Sequence, residues 1–146
     1  MSDVIVKTGK ENMDVRSVHQ FLTNDSYWAK GIPFDLVDES LSHSFCVGAF
    51  VHGAQVGFAR LVTDYSTFGW LSDVYVLPEF RKRGISKLML SHIMEQTWSN
   101  RLRRTMLITS DGHGLYRQFG FKELAFPACI MEVHRPDIYL EYSGEI

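Results

Sequence analysis

The stretch Val74-Tyr75-Val76-Leu77-Pro78-Glu79-Phe80-Arg81-Lys82-Arg83-Gly84-Ile85-Ser86-Lys87 decides the fold. It reads as the end of an apolar strand, a turn at proline, a basic loop with one glycine, and the start of an amphipathic helix. That order builds an anion site out of backbone. A helix N-terminus exposes unpaired N–H groups and carries the positive end of the helix dipole. Gly84 lets a bound group come close without a side chain in the way. Arg81, Lys82, Arg83 and Lys87 add four positive charges around one turn. The natural ligand for such a place is a phosphate, and a diphosphate fits it best.

Working outward, Phe68–Leu77 is a strand stopped by Pro78. Ser44–Val51 and Gln55–Val62 are strand-like and meet at His52-Gly53, a tight hairpin turn. Asp64–Thr67 is a second turn, so three strands form an antiparallel meander. Downstream, Ile85–Trp98 has helical spacing, with Ile85, Leu88, Met89 and Ile93 on one face. Thr105–Thr109 is a strand that follows a helix that follows a strand, so it should lie parallel to 68–77. A short helix over Leu115–Phe119 ends at Gly120, and Phe121–Leu124 with Ile130–Val133 reads as a final strand pair. Before the meander, Val4–Val6 is a short strand. Val15, Val18, Phe21 and Leu22 recur at helical spacing within Met13–Leu22. Thr23–Phe34 is loop-like, and Phe34–Leu41 is a second short helix. The fold class is α/β: a mixed central sheet, antiparallel first and locally parallel later, flanked by helices. Where parallel strands splay, backbone groups go unpaired, so a site is expected at the C-terminal end of 68–77 beside loop 81–86.

Bulk composition narrows the function. The chain has 146 residues, 45% apolar and 22% charged, which fits a single domain over 1–146 with a substantial core. A net charge of −2 argues against a general nucleic-acid binder, so the basic residues at 81–87 and 101–104 are local features. Cys46 and Cys129 are too few and too far apart for a disulfide framework or a metal knuckle. His19, His43, His52, His92 and His134 show no metal-ligand spacing, and no metal is expected. The first residues lack the basic start and apolar run of a secretory signal. No stretch approaches the ~20 apolar residues of a membrane helix, so a cytoplasmic protein without a membrane partner is the expectation.

Arg81-Lys82-Arg83-Gly84-Ile85-Ser86 resembles the [Q/R]-x-x-G-x-[G/A] motif of the GNAT superfamily of acyl-CoA-dependent N-acetyltransferases, with Ser86 at the small last position. Tyr116-Arg117-Gln118-Phe119-Gly120-Phe121 is similar to a second family feature, a tyrosine shortly before Gly-Phe. The order of elements agrees over about residues 44–133, and with the first helix over nearly the whole chain.

The resemblance implies acyl transfer from acetyl-CoA to a primary amine of a small molecule, protein or peptide. It places the CoA pyrophosphate on the N–H groups around Lys82–Lys87, with Arg81, Lys82, Arg83, Gly84, Ile85, Ser86 and Lys87 as cofactor contacts. It runs the pantetheine arm along the backbone of Val74, Tyr75 and Val76, with the Val76 N–H near the thioester carbonyl. Tyr116 is implied as the general acid for the departing thiolate, since phenol and thiol pKa values lie close, near ~10 and ~8.5. Some polyamine acetyltransferases carry Glu-Asp where this chain has Ser72-Asp73, so Asp73 is the remaining candidate base. Arg60 on the neighbouring strand is the possible ion-pair partner that would make Asp73 structural instead. Asp111 and His113 precede Tyr116; the histidine reads as surface loop. Trp28 and Arg60 are the candidate acceptor contacts. Tyr27, Trp28, Phe34 and Tyr65 lie in loops suited either to clamping an apolar or cationic substrate or to pinning the loops on the core. A homodimer is open, because the family often dimerises. The alternative reading is a catalytically weak acetyl-CoA-binding sensor that keeps Arg81–Ser86 and lacks the acid–base pair.

Overall fold

The computed structural model describes residues 3–143, with side chains as far as residue 140. One five-stranded sheet runs in the order β1 (Val4–Thr8), β2 (Ser44–Val51), β3 (Ala54–Thr63), β4 (Phe68–Val76), β5 (Arg104–Met106). The first three pairings are antiparallel and the last is parallel, as the strand–helix–strand order requires. The β2–β3 hairpin turns at His52 and Gly53, both with positive φ, which matches the twist of a two-residue hairpin. Asp64 builds the β3–β4 turn. Its carboxylate accepts from the Thr67 hydroxyl at 2.6 Å and from the Thr67 and Ser66 N–H groups at 2.7 and 2.9 Å. These bonds hold its carboxyl far below the usual carboxylate range.

Strand alternation splits the core into two layers. Phe58 faces α1 (Val15–Asp25) and α2 (Phe34–Ser42), in a cluster with Val18, Leu22, Val37 and Leu41. Its neighbour Ala59 faces α3 (Ile85–Met94), in a cluster with Ile85, Met89, Leu90 and Ile93. Asp14 caps α1 by accepting from the Ser17 N–H at 3.2 Å, and buried Gln55 on β3 accepts from the Asp14 N–H at 2.7 Å. The start of α1 is therefore fixed to the sheet. Cys46 lies in this interior, and burial pushes its thiol up to about 11.

Four expectations need correction. The helix predicted over Ile85–Trp98 ends at Met94, and Thr97–Arg101 forms a separate 3₁₀ turn. A continued helix would carry Trp98 about 140° from Ile93. The break instead seats its ring on Phe45 and Tyr65, at centroid distances of 5.1 and 4.7 Å. Leu88 is exposed, and Leu90 takes its place in the core. The strand predicted at Thr105–Thr109 has only three residues, Arg104–Met106. Finally, Phe121–Leu124 and Ile130–Val133 form no strand pair; Pro127–Cys129 between them is a 3₁₀ turn. So short a β5 offers little ladder for another strand to extend, and Met131 and Val133 stay exposed. α4 (His113–Arg117) and α5 (Ile138–Ser143) complete the described elements. Among the described residues no helix is long and apolar enough to cross a membrane.

Candidate active site

Loop 81–84 takes its shape from two left-handed residues, Lys82 (φ 64°) and Gly84 (φ 78°). Left-handed residues alternating with ordinary ones curl successive N–H groups toward one side, an anion-binding nest. Gly84 is also the N-cap of α3, so the free N–H groups of the first turn, Ile85, Ser86 and Lys87, open onto the same place. Val76, Phe80, Gly84, Ile85, Ser86 and Leu115 line a cavity of about 250 Å³ there. Lys82, Arg83 and Lys87 are exposed around it. Arg81 lines the cavity too. Its Nε donates to the Val76 carbonyl at 2.8 Å and ties the loop to the end of β4. The Arg83 guanidinium lies over the Phe80 ring, 5.2 Å from its centroid.

β4 and β5 splay as the topology predicts. Their pairing covers Phe68↔Arg104 to Trp70↔Met106 and stops. From Leu71 to Val76 no strand pairs with this edge of β4, and Arg81 takes the Val76 carbonyl at its end. Leu77 N–H donates to Val56 on β3 at 2.8 Å. N–H groups alternate sides along a strand, so the Val76 N–H points the other way, into the splay. Tyr75 turns its side chain to the opposite layer, stacked on Phe21 at 3.9 Å between centroids. Burial raises its phenol well above the ordinary value.

Asp73 sits where the β3–β4 register shifts, with φ 57°, a strained value for a residue with a side chain. The bulge turns its carboxylate inward, and its side chain is only 7% exposed. One oxygen accepts from Arg60 Nε at 2.7 Å and the other from the Trp28 indole at 2.7 Å. Arg60 Nη1 continues the chain to Ser44 Oγ at 2.9 Å. The structure thus brings Asp73, Arg60 and Trp28 together, and both carboxylate oxygens are engaged.

Tyr116 lies on α4, half-buried, with its ring edge-on to Phe121 at 6.0 Å. A Cβ on Gly112 would meet the Tyr116 ring at 2.9 Å, so the bare glycine makes room for that ring. Burial raises the phenol's pKa, and the charges of Asp111 and Tyr27 add to the rise. Tyr116 is therefore protonated at neutral pH. Tyr27 reaches across the site, its Oη sharing a hydrogen bond of 2.9 Å with Ser110 Oγ ahead of α4. Ser110, Ser44 and Gly112 escape a reading of the sequence. Only the Ser110-Asp111-Gly112 turn composition hinted at any of them. No cluster of three or more metal-ligating side chains occurs among the described residues.

The sequence pattern of the Acetyltransferase (GNAT) family matches residues 15–121. FG08082, a candidate acetyltransferase of Gibberella zeae, is 33% identical, over 83% of this chain and 80% of its own. A crystal structure of a candidate GNAT-family acetyltransferase from Xanthomonas campestris pv. campestris superposes with a TM-score of 0.90 at 46% identity, covering 93% of this chain and 96% of that one. A GNAT-family protein from Streptococcus pneumoniae shares the fold, with a TM-score of 0.69 at 22% identity over 90% and 97% of the two chains.

Proposed function

The chain belongs to the GNAT acetyltransferase family, and from that premise we propose that it moves an acetyl group from acetyl-CoA to a primary amine by direct attack on the thioester. The observation that carries this reading is the open edge of β4 ending beside the nest at Lys82–Gly84. The diphosphate of CoA would use the anion cradle, and the amides of its pantetheine arm would use the strand edge. Bound there, acetyl-CoA supplies an activated acyl group.

The residues divide the work. The N–H groups of Gly84, Ile85, Ser86 and Lys87 would hold the pyrophosphate, with Lys82, Arg83 and Lys87 adding charge. Arg81 keeps the loop in register with β4. The edge of Val74–Val76 would pair with the pantetheine amides, and the Val76 N–H would stabilise negative charge on the carbonyl oxygen. The acceptor ammonium first loses a proton to solvent to free its lone pair; the nitrogen then bonds to the acetyl carbon as the C–S bond breaks, a second nitrogen proton leaves to solvent, and Tyr116 gives its proton to sulfur and regains one from solvent. Asp73, paired with Arg60, shapes the acceptor side by holding Trp28.

Two measurements test the reading. Acetyl-CoA, but not ATP, should raise the melting temperature in a saturable way. Thiol release should then appear over a panel of amines and peptide N-termini. No thermal shift at millimolar acetyl-CoA would sink the reading. A shift without thiol release on any acceptor would leave a binding module in place of an enzyme.

A further inference from the structure

The α1–α2 loop is built to present two rings. Ser26, Ala29 and Ile32 are buried, so the loop is anchored on both sides of its apex. Ser26 Oγ donates to Leu22 O at 2.7 Å and accepts from the Ala29 N–H at 3.0 Å, while Gly31 N–H donates to Thr23 O at 3.0 Å. Between these anchors Tyr27 and Trp28 stand out, 69% and 41% exposed, edge to face at 5.1 Å. Each is tied at its polar tip to a different wall of the site: Trp28 to Asp73 on β4, Tyr27 to Ser110 ahead of α4. A pair held this way spends no entropy on ordering when a ligand arrives.

The free carboxylate beside the pair is Asp111. Asp111 lies close enough to add to the rise in the Tyr116 pKa, and it has no ion-pair partner among the described residues. Arg60 is neutralised by Asp73 and also bonded to Ser44, and Lys30 keeps its charge with Nζ held on Asn24 O at 2.7 Å. An acceptor carboxylate beside Asp111 would meet a like charge, whereas an ammonium there finds two aromatic faces and a carboxylate.

Resting on the transferase reading above, we propose that Tyr27 and Trp28 form the acceptor platform and select cationic primary amines that carry no carboxylate next to the amine. Tyr27 is the specificity-determining residue. Trp28 is the fixed wall, held by Asp73.

Matched acceptors test this: cadaverine against lysine, and phenethylamine against phenylalanine, each pair differing by one carboxylate. The carboxylate-free member should have a kcat/KM higher by about tenfold or more. Tyr27→Leu should raise the KM for cadaverine about tenfold and leave the KM for acetyl-CoA unmoved, while Tyr27→Phe, which keeps the ring and loses the tie to Ser110, should raise the cadaverine KM by a smaller factor of about threefold. Equal turnover within both pairs overturns the selection. A cadaverine KM unmoved in Tyr27→Leu overturns the assignment of Tyr27. No thiol release with any of these amines overturns the inference as well. Release with peptide N-termini in that case leaves the transferase reading standing; its absence there too removes both.

Discussion

Asp73 shows how much one carboxylate's surroundings decide. Each oxygen of Asp73 accepts one hydrogen bond, from Arg60 and from Trp28, so the carboxylate is held in place as the counter-ion of Arg60. Removing its charge leaves a mostly buried guanidinium without a counter-ion. Asp73→Asn should therefore lower the melting temperature by roughly 10 °C, from a loss of about 3 kcal/mol. Adding Arg60→Gln should recover part of that loss, as a double-mutant cycle would show. An unshifted melting temperature with a collapsed kcat would instead make Asp73 the base. Tyr116 makes the opposite case. Its phenol is protonated at neutral pH, the form an acid must have, and burial raises its pKa further above that of the departing thiol. Tyr116→Phe should cut kcat by about 100-fold with little change in the KM for acetyl-CoA. An unchanged kcat on the best acceptor would remove Tyr116 from the chemistry.

Elements place these groups by where they start and stop. α3 begins at a left-handed glycine, which points its free N–H groups at the nest. β5 stops after three residues, and that early end opens the β4 edge. α4 is only five residues long, and its tyrosine is aimed by contact with Gly112 rather than by helix length. Gly112 has an ordinary φ of −102°, so alanine there strains no backbone but drives a methyl into the Tyr116 ring. Gly112→Ala should then lower kcat by about tenfold while the melting temperature moves by only a few degrees. Kinetics beside a thermal melt checks the pair of outcomes; an unaltered kcat would mean that α4 shifts as a unit and carries the ring with it.

Across the whole molecule, the two layers meet through β3 and β4, and their tyrosines link the fold to pH. Tyr75 is buried and Tyr116 half-buried, and both are raised by desolvation above their ordinary value. Each holds its proton more tightly folded than unfolded. The stability they contribute is full below pH about 10, the unfolded value, and is lost as the pH rises through the folded values. Urea midpoints should fall as the pH climbs above about 10, and Tyr75→Phe should flatten that fall; an equal slope in the variant would place the titration elsewhere. By itself the sequence determined the order of elements, the parallel crossover, the basic loop with its glycine, and Tyr116 on a short helix. Those features are local: a period, a turn residue or a motif states each within a few positions. The sequence offered Arg60 as one possible partner of Asp73; the tertiary structure decided that the two do pair, that Trp28 closes over Asp73, and that Tyr27 meets Ser110. These partners lie 13, 45 and 83 residues apart, and only strand register and loop anchoring bring them together. It also decided that the apolar run at 130–133 stays unpaired, because whether a run becomes a strand depends on a neighbouring ladder, and β5 ends too soon to supply one.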